Sequence, residues 1–460
     1  MNVEMMERLY KMFVENLNIF IVSCIILLML LSWYYFIFFF SAIRRPKKFN
    51  KGKIQYKYAV LVPARNEDNV IKNCLTALSK QDYPKTKFDV YVIVESKDDP
   101  TIKITKEMGS NFHVIIRKNL NHRRTKGYAL DDAFQHLEKS KIKYDALMIF
   151  DADNVMNPDY ISKMNDCKNQ GYKIATGYRN FTNATTNWVS SSSAILFSFM
   201  NQFTSKGRST YFDKCTLTGT GYYIDYDIVK NEGGWIWDGM TEDVELTCYC
   251  YAHNIKMHYY PIAMYYDEQS PKYSVIHKQH VRWVWGFFSS KKKFKRNTFD
   301  YGNLKGIRRW LANLEYNFSI YPFICFCIME VLACLLGLCL FVSSIITACL
   351  EGGEQLWADS MPQTVFCWFL LSFSYLYLTY VFVATLVLCL DNRNLKFSVP
   401  KAIISILSYF FFFGDFFFAF FDGLFHKQKR SSWDKIIHEG DVIDERAKEA
   451  INGKKVKSKK

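Results

Sequence analysis

Residues 144–153 read Tyr-Asp-Ala-Leu-Met-Ile-Phe-Asp-Ala-Asp, an apolar run that ends in two alternate aspartates. A short apolar run of this kind predicts a buried strand. Asp151 and Asp153 then lie on the loop that follows the strand. Alternate carboxylates can aim at one divalent cation, and Mg²⁺ or Mn²⁺ bridging two phosphates is the usual partner. The alternative is a solvated loop or a helix cap, since the pattern often arises by chance.

Further apolar runs precede this stretch, and they alternate with segments of helical periodicity. This order predicts an α/β domain with a mostly parallel sheet that is covered on both faces. Ligands of such sheets bind beyond the carboxyl ends of the strands. The segments Pro63–Glu67, Glu95–Asp99 and Asp151–Asp153 all follow strand ends. The predicted strands are 58–62, 89–94, 114–116 and 144–150, and the predicted helices are 67–80, 101–108 and 128–137.

Apolar residues make up 50% of the 460 residues, yet the mean hydropathy is only −0.09, so the apolar residues are segregated. Four runs approach or exceed the ~20 residues that cross a bilayer. We interpret the first as an anchor because it lacks a small-residue cleavage site. The last contains Asp415 and Asp422, and we predict that it re-enters or lies on the surface, which keeps the basic tail inside. The runs are 19–40, 318–348, 365–390 and 402–425.

The net charge of +15 is concentrated beside these runs, at 44–48 and 291–296. By the positive-inside tendency, the middle domain is cytoplasmic and the protein is a multi-pass protein of the plasma membrane. We attribute the basic clusters to anionic lipid, and we expect no nucleic-acid partner because no nucleic-acid-binding motif accompanies them. The 13 cysteines form no disulfide framework, which fits a reducing compartment.

Five regions follow from these patterns. They are an N-terminal segment with one transmembrane helix (1–43), a cytosolic α/β domain (44–275), interfacial helices (276–315), transmembrane or re-entrant helices (316–425) and a basic, loosely ordered tail (426–460). Residues 186–203 are apolar but short and rich in serine, so we predict an interfacial helix there.

Three further motifs could carry chemistry. Thr241–Asp243 precedes a helical stretch and is either a helix cap or the site of a general base. Gln279, Arg282 and Trp283 share a predicted helix, where arginine could bind phosphate and tryptophan could stack on a sugar ring, or both could anchor the helix at a membrane. The loop Thr218–Gly221 matches neither the Walker nor the Rossmann spacing, so we exclude nucleotide hydrolysis and dinucleotide binding.

Taken in chain order, these motifs resemble the membrane-integrated family-2 glycosyltransferases, the group of cellulose, chitin, hyaluronan and poly-N-acetylglucosamine synthases. The resemblance covers about residues 57–300. It implies a GT-A-type domain that binds a UDP-sugar with Mg²⁺ or Mn²⁺. The matching motifs are Pro63-Ala-Arg-Asn-Glu67, Lys126-Gly127, Asp151-Ala-Asp153, Thr218-Gly-Thr-Gly221, Thr241-Glu-Asp243 and Gln279-His-Val-Arg-Trp283.

The resemblance also implies a role for each matching residue. Asp243, beside Glu242, would be the base, and Asp153, with Asp151, would hold the metal. Donor-binding residues would be Pro63, Arg65, Glu67, Glu95, Lys126, Asp151, Gln279 and Arg282, and the acceptor would face Gly219, Thr220, Gly221 and Trp283. Two positions depart from the family pattern: Glu95 stands where an Asp pair is common, and His280 stands where many members carry Arg.

The expected activity is inverting polymerisation of a UDP-hexose or UDP-N-acetylhexosamine into a β-linked glycan, with export through the protein's own helices. Expected partners are the UDP-sugar, a growing glycan or lipid acceptor, the bilayer and an accessory export or regulatory subunit. One rival is transfer of a single sugar to a lipid or oligosaccharide. Rivals from other classes are a sugar nucleotidyltransferase and a nucleotide-sensing transporter. The sequence lacks the internal repeats and midplane charged pairs of a transporter.

Overall fold

An eight-stranded mixed sheet organises residues 58–267 of the chain. In the computed structural model its order is β3-β2-β1-β4-β7-β6-β8-β5. The first four strands in that order are mutually parallel, β7 is antiparallel to both β4 and β6, and β8 is parallel to β6 and antiparallel to β5. The strands are β1 (Tyr58–Pro63), β2 (Phe88–Val94), β3 (Phe112–Ile116), β4 (Ala146–Ile149), β5 (Val155–Met156), β6 (Ile174–Phe181), β7 (Tyr222–Asp225) and β8 (Met257–Asp267).

The structure describes residues 40–118, 125–140, 142–294, 361–425 and 445–454, with the single residues 19, 23, 38 and 120. Twelve helices lie in these ranges: α1 (Asp68–Ser79), α2 (Thr101–Lys106), α3 (Lys126–Ser140), α4 (Tyr160–Asn169), α5 (Trp188–Phe199), α6 (Lys206–Phe212), α7 (Tyr226–Asn231), α8 (Glu242–Ala252), α9 (Tyr273–Phe294), α10 (Met361–Leu395), α11 (Val399–Phe425) and α12 (Glu445–Ile451). A π-helical segment, Met200–Ser205, joins α5 to α6.

The chain divides into two compact units, one of residues 1–37 and 310–385 and the other of residues 38–309 and 386–460. Of the first unit, the structure describes residues 361–385 of α10 and the single residues 19 and 23. The sheet and all the sites discussed below belong to the second unit. The predicted runs 19–40 and 318–348 lie almost wholly outside the described residues.

The apolar runs form the strands that the sequence predicts, because burial on both faces requires continuous apolar side chains. Every residue of β4 is buried, and β1 and β2 are buried at nearly every position. The predicted mostly parallel α/β sheet is confirmed for β1 to β4, and the helices that alternate with these strands are α1, α2 and α3. The second half of the sheet, with its antiparallel β7, was not predicted.

Helix α5 differs from the interfacial helix predicted for residues 186–203. Ten of its twelve residues are buried, and they pack against β6 and α11. Asn187 caps the helix by accepting hydrogen bonds from the backbone amides of Val189 and Ser190, and the serine side chains lie inside the protein. The small serine side chains therefore allow α5 to pack closely against its neighbours.

Helix α11 is continuous through Phe425, so the described chain has no re-entrant break at 402–425. Within the described ranges it is the one helix long and apolar enough to cross a membrane, by length and composition alone. One face is buried and contains Ser405, Tyr409, Phe412, Asp415 and Ala419. The opposite face exposes Val399, Ile403, Ile404, Leu407, Phe411 and Phe418, each between 47% and 74% exposed.

The tail is more ordered than the sequence suggested. Helix α12 packs against α1 and β5, and its Ala447 and Ala450 are buried in the core of the sheet domain. Alanine spacing of three residues places both methyl groups on one helix face. The predicted loose order of 426–460 is therefore wrong for residues 445–451, while the other predicted tail residues lie outside the described ranges except 452–454.

Candidate active site

The centre of the site is the carboxyl end of β4, where Lys126 joins two motifs. Its ammonium group donates hydrogen bonds to Asp151 and to the carbonyl of Gly219 at 2.7 Å, and it lies 3.6 Å from Oε1 of Glu242. Lys126 is only 5% exposed. Burial alone would lower the pKa of Lys126, but the Asp151 and Glu242 carboxylates together raise it, so the ammonium stays charged.

The loop Thr218–Gly221 is held tightly against β4. The amide of Gly221 donates to Ile149 at 2.9 Å, and the Thr220 hydroxyl accepts from the Asp151 amide at 2.9 Å. Gly221 has φ +63°, and an added Cβ would lie 2.2 Å from the ring of Tyr265, so no larger residue fits. The loop is thus a rigid floor beside the alternate aspartates.

Asp243 faces this floor from the first turn of α8. A Cβ placed on Gly219 would lie 3.6 Å from Asp243 Oδ2, and Oδ1 accepts a hydrogen bond from the Val244 amide at 2.9 Å. Desolvation raises the pKa of Asp243, although Val244, Lys126 and Arg282 oppose this rise. The simple capping explanation fails for Thr241, because its buried hydroxyl has no hydrogen-bond partner within the described part of the chain.

Glu242 is the more deeply buried acid of the pair. Desolvation raises its pKa to about 7, while Lys126 opposes the rise. With Lys126 shared between Glu242 and Asp151, the two predicted motifs meet in space although 91 positions separate these acids in the chain (242 minus 151).

Asp153 lies among other carboxylates. Desolvation raises its pKa well above the usual range, and nearby Asp267 and Asp151 raise it further, whereas Arg179 opposes the rise. An excess of carboxylates fits a divalent cation, which would relieve their repulsion. No three His, Cys, Asp or Glu side chains converge on one point in the described ranges, so the protein would supply few ligands. Diphosphate oxygens and water would supply the others, as is common for Mg²⁺.

At the ends of β1, β2 and β3, a second charged group surrounds Glu95. Arg65 Nε lies 3.2 Å from Glu95 Oε2, and Arg117 Nη1 lies 3.4 Å from Oε1. Arg117 is buried and also pairs with Asp132 at 2.7 Å. The neighbouring Asp99 is used structurally, since it caps α2 through Thr101. Pro63 ends β1 opposite Ile93, and Glu67 lies immediately before α1.

Helix α9 carries Gln279, Arg282 and Trp283 and packs on α8. Arg282 lowers the pKa of Asp243, which indicates that its charge acts at the acid. The Trp283 ring meets Phe197 edge-on, with 5.9 Å between centroids. Gln279 is half-buried on the same helix. The structure therefore brings the charge of Arg282 near Asp243, packs Trp283 against Phe197, and places Gln279 one turn away from Arg282.

Gly286 of α9 packs directly against Thr241, the residue before α8. A Cβ there would lie 2.3 Å from Thr241 Oγ1 and 2.5 Å from its Cγ2. We expect Gly286→Ala to push the start of α8 away and to lower kcat about tenfold or more, because small displacements of reacting groups are costly. Steady-state kinetics would measure this. Gly414→Ala is the matched control, since its added Cβ meets nothing within 4 Å. Equal kcat values for both variants would contradict the packing argument.

Some site residues were not predicted. Arg179, on β6, pairs with Asp267 at the end of β8 and donates to the Thr218 carbonyl at 2.8 Å. Asn154 donates to Asp153 at 3.1 Å and to Asp267 at 2.9 Å. An arginine inside an otherwise uncharged strand was the available signal for the first. Arg117 and Asn154 carried no comparable signal, because an arginine at the end of a strand and an asparagine in a loop are common in any sequence.

The sheet and its carboxylate-lined edge define a GT-A-like glycosyltransferase domain. Residues 55–286 match the family described as Glycosyltransferase like family 2, and the chain belongs to that family. It is 28% identical over 276 residues to probable glycosyltransferase YdaM of Bacillus subtilis (strain 168), covering 58% of this chain and 62% of the relative. It is 22% identical over 319 residues to glucomannan 4-beta-mannosyltransferase 7 of Arabidopsis thaliana, covering 65% and 55%.

Among solved structures, the fold is similar to that of the mannosyltransferase PcManGT from Pyrobaculum calidifontis in complex with GDP-Man and Mn²⁺. The TM-score is 0.52 at 13% identity, covering 87% of this chain and 99% of that one. At this identity the likeness concerns the fold alone. The chain spans about three-fifths of the length of the two curated relatives named above.

Proposed function

We propose that the protein is an inverting, metal-dependent glycosyltransferase that polymerises a sugar from a UDP-sugar donor at a membrane surface. The observation that carries the proposal is the position of Lys126 between Asp151 and Glu242. Lys126 links the end of β4 to the start of α8. The carboxylates at the end of β4 suit a metal-bound diphosphate, and the acids at the start of α8 suit an acceptor hydroxyl. Family membership supports the transfer of a sugar, and the site geometry supports the assignment of roles.

In the proposed reaction, Asp243 takes the proton of an acceptor hydroxyl. The oxygen attacks the anomeric carbon from the face opposite the diphosphate, the bond between that carbon and the diphosphate oxygen breaks, and the configuration inverts. Lys126 and Arg282 stabilise the negative charge that develops on the leaving group, since charged donors contribute most where charge develops. Glu242 keeps Lys126 in place. The products are a glycoside and a nucleoside diphosphate.

Asp151 and Asp153 would hold Mg²⁺ or Mn²⁺, which when bound neutralises the diphosphate. At the other end of the donor, we assign Glu95 to the binding of the nucleobase. Arg65 and Arg117 hold the carboxylate of Glu95 at the edge of the sheet. Pro63, Glu67 and Gln279 complete the proposed donor-binding group. Gly219, Thr220, Gly221 and Trp283 would face the acceptor, as the rigid loop and the aromatic ring suit a sugar.

The membrane part of the proposal rests on α11. The exposed face of α11 forms a longer apolar patch than a protein surface in contact with water usually has. The basic residues at 44–48 are suited to anionic lipid headgroups. We propose that this face contacts lipid on the cytoplasmic side of the plasma membrane. An amphipathic helix lying in the interface needs no crossing to bind.

Single addition of a sugar to a lipid or oligosaccharide is the second candidate. It is favoured by the same lipid-facing helix, which would bring a lipid acceptor close to Trp283. The two candidates share the catalytic residues and differ only in what happens to the product after the first transfer.

Product sizing tests the proposal. Purified protein in nanodiscs would receive one labelled donor at a time with Mn²⁺, from a panel of UDP-hexoses, UDP-N-acetylhexosamines and GDP-mannose, with lipid and oligosaccharide acceptors present. We expect a ladder of products from one UDP-sugar. One added sugar would instead support the second candidate, and transfer from GDP-mannose alone would overturn the UDP assignment. If no donor yielded product, the proposed function would be wrong.

A further inference from the structure

A carboxylate lies inside the apolar helix α11, where a charge requires partners. Asp415 is 1% exposed, and its neighbours on the helix include Phe412 and Phe416. A buried charge is unfavourable unless hydrogen bonds satisfy it. The partners of Asp415 come from a different part of the chain.

Three side chains of α9 satisfy both oxygens of Asp415. Tyr273 donates its hydroxyl to Oδ1 at 2.5 Å, and Nδ1 of His277 lies 2.8 Å from the same oxygen. Nδ1 of His280 lies 2.6 Å from Oδ2. The spacings of four and three residues put the three groups on one face of α9. His277 also lies 3.5 Å from Asp422 of α11, through Nε2.

His280 is the member of this group whose ring lies beside Trp283. Because a carboxylate can only accept, Nδ1 of His280 must donate, and this selects the ring orientation. Its ring stacks on Phe416 at 3.8 Å and lies 5.4 Å from the ring of Trp283. His280 is fully buried, and its Nε2 has no hydrogen-bond partner among the described residues. Arg282 and Trp283 follow two and three positions later on the same helix.

We infer that Asp415 is a positioning residue for sugar transfer: through His280 it sets where Trp283 and Arg282 lie relative to Asp243. The inference rests on the proposed function. Helix α11, which faces lipid in the proposal, thereby packs on the helix that carries Arg282 and Trp283, and Asp415 accepts hydrogen bonds from that helix.

A double-mutant cycle tests this inference. We expect Asp415→Asn and His280→Phe each to lower kcat about a hundredfold, as misplacement of reacting groups does. The double variant should be no slower than either single variant, because the two residues act as one unit. Donor affinity should change by less than about threefold, since neither side chain is assigned to the donor. Asp227→Asn, at an exposed position of α7, is the control for loss of one carboxylate and should keep kcat within about twofold.

A second measurement separates positioning from loss of the helix contact. A Cβ on Gly423 would lie 3.9 Å from Cγ1 of Val281, so the pair Val281→Cys and Gly423→Cys can report docking of α11 on α9 by disulfide formation. In the Asp415→Asn background, unchanged disulfide yield with low kcat supports positioning. Loss of the disulfide together with kcat would show a merely structural role and overturn the inference, as would multiplicative effects in the cycle or an unchanged kcat.

The wild-type protein measured in parallel distinguishes the two failures. If the wild type transfers sugar and Asp415→Asn transfers it equally well, the inference is wrong and the proposed function stands. If the wild type transfers nothing, the proposed function is wrong.

Discussion

Asp243→Asn is expected to lower kcat about a thousandfold or more while leaving UDP binding within about threefold, because loss of a general base removes proton transfer alone. Asparagine keeps the volume of the side chain and can still accept a hydrogen bond from the Val244 amide. Single-turnover transfer and calorimetric titration with UDP would measure the two quantities. Near-normal turnover would refute the assignment of the base.

The pH profile strengthens this test. Burial raises the pKa of Asp243, and a base must be ionised to act, so wild-type kcat should fall as the pH drops through this raised pKa. The acid limb should therefore lie above the usual range of an aspartate, and the residual rate of the asparagine variant should lack it. Asp227→Asn removes one charge at an exposed position of α7 and should preserve both the rate and the limb.

Asp153→Ala is expected to weaken Mn²⁺-dependent UDP binding about a hundredfold, because it removes a carboxylate assigned to the cation between protein and diphosphate. Calorimetry with and without EDTA would measure this difference. In EDTA, wild type and variant should bind UDP alike. Asp98→Asn, which removes an exposed charge after β2, should leave the metal dependence intact. Equal Mn²⁺-dependent affinity in Asp153→Ala and wild type would exclude Asp153 as a ligand.

The raised pKa of Asp153 adds a stability signature to the same prediction. Folding raises the pKa of this carboxyl group. Such a group lowers the free energy of unfolding as the pH rises from the pKa in the unfolded protein through the pKa in the folded protein. Metal-free Asp153→Asn should therefore melt at a higher temperature than wild type at pH 7.5, and the gap should shrink near pH 4. A lower melting temperature of the variant than of the wild type at pH 7.5 would indicate that the ionised carboxylate of Asp153 does not destabilise the folded protein.

The site residues that were predicted from the sequence lie in motifs that can be recognised from their immediate neighbours in the chain. Asp151 and Asp153 follow an apolar strand directly, and Thr241–Asp243 precedes a helix, so each motif can be recognised within about ten residues. The position of Asp151 and Asp153 follows from the end of the parallel strand β4, whereas Thr241–Asp243 begins α8 and meets Lys126 only through the tertiary fold. The positions of these motifs could be predicted because they depend on the ends of strands and helices, while the roles of their residues stay predictions.

The other part depends on contacts between distant residues. Arg179 and Asp267 are 88 positions apart, and His280 and Asp415 are 135 apart. No periodicity links such pairs, since each residue is chosen by its partner in space. For the same reason, neither the antiparallel β7 nor the docking of α12 could be predicted from the sequence. Helix α12 is short, and its two buried alanines gain their meaning only from their contact with α1 and β5.

The docking of α12 has a topological consequence for any bilayer that contacts this protein. The end of α10 is anchored to the sheet domain, where Tyr178 donates to Asp391 at 2.5 Å, and α12 inserts Ala447 and Ala450 into the same domain. A chain that leaves a body on one side of a bilayer and returns to it makes an even number of crossings. Between these anchors lie α11 and residues 426–444, which are too polar to cross. A lone crossing by α11 would break this parity, so the proposed contact of α11 with lipid is one along the membrane surface and not a crossing.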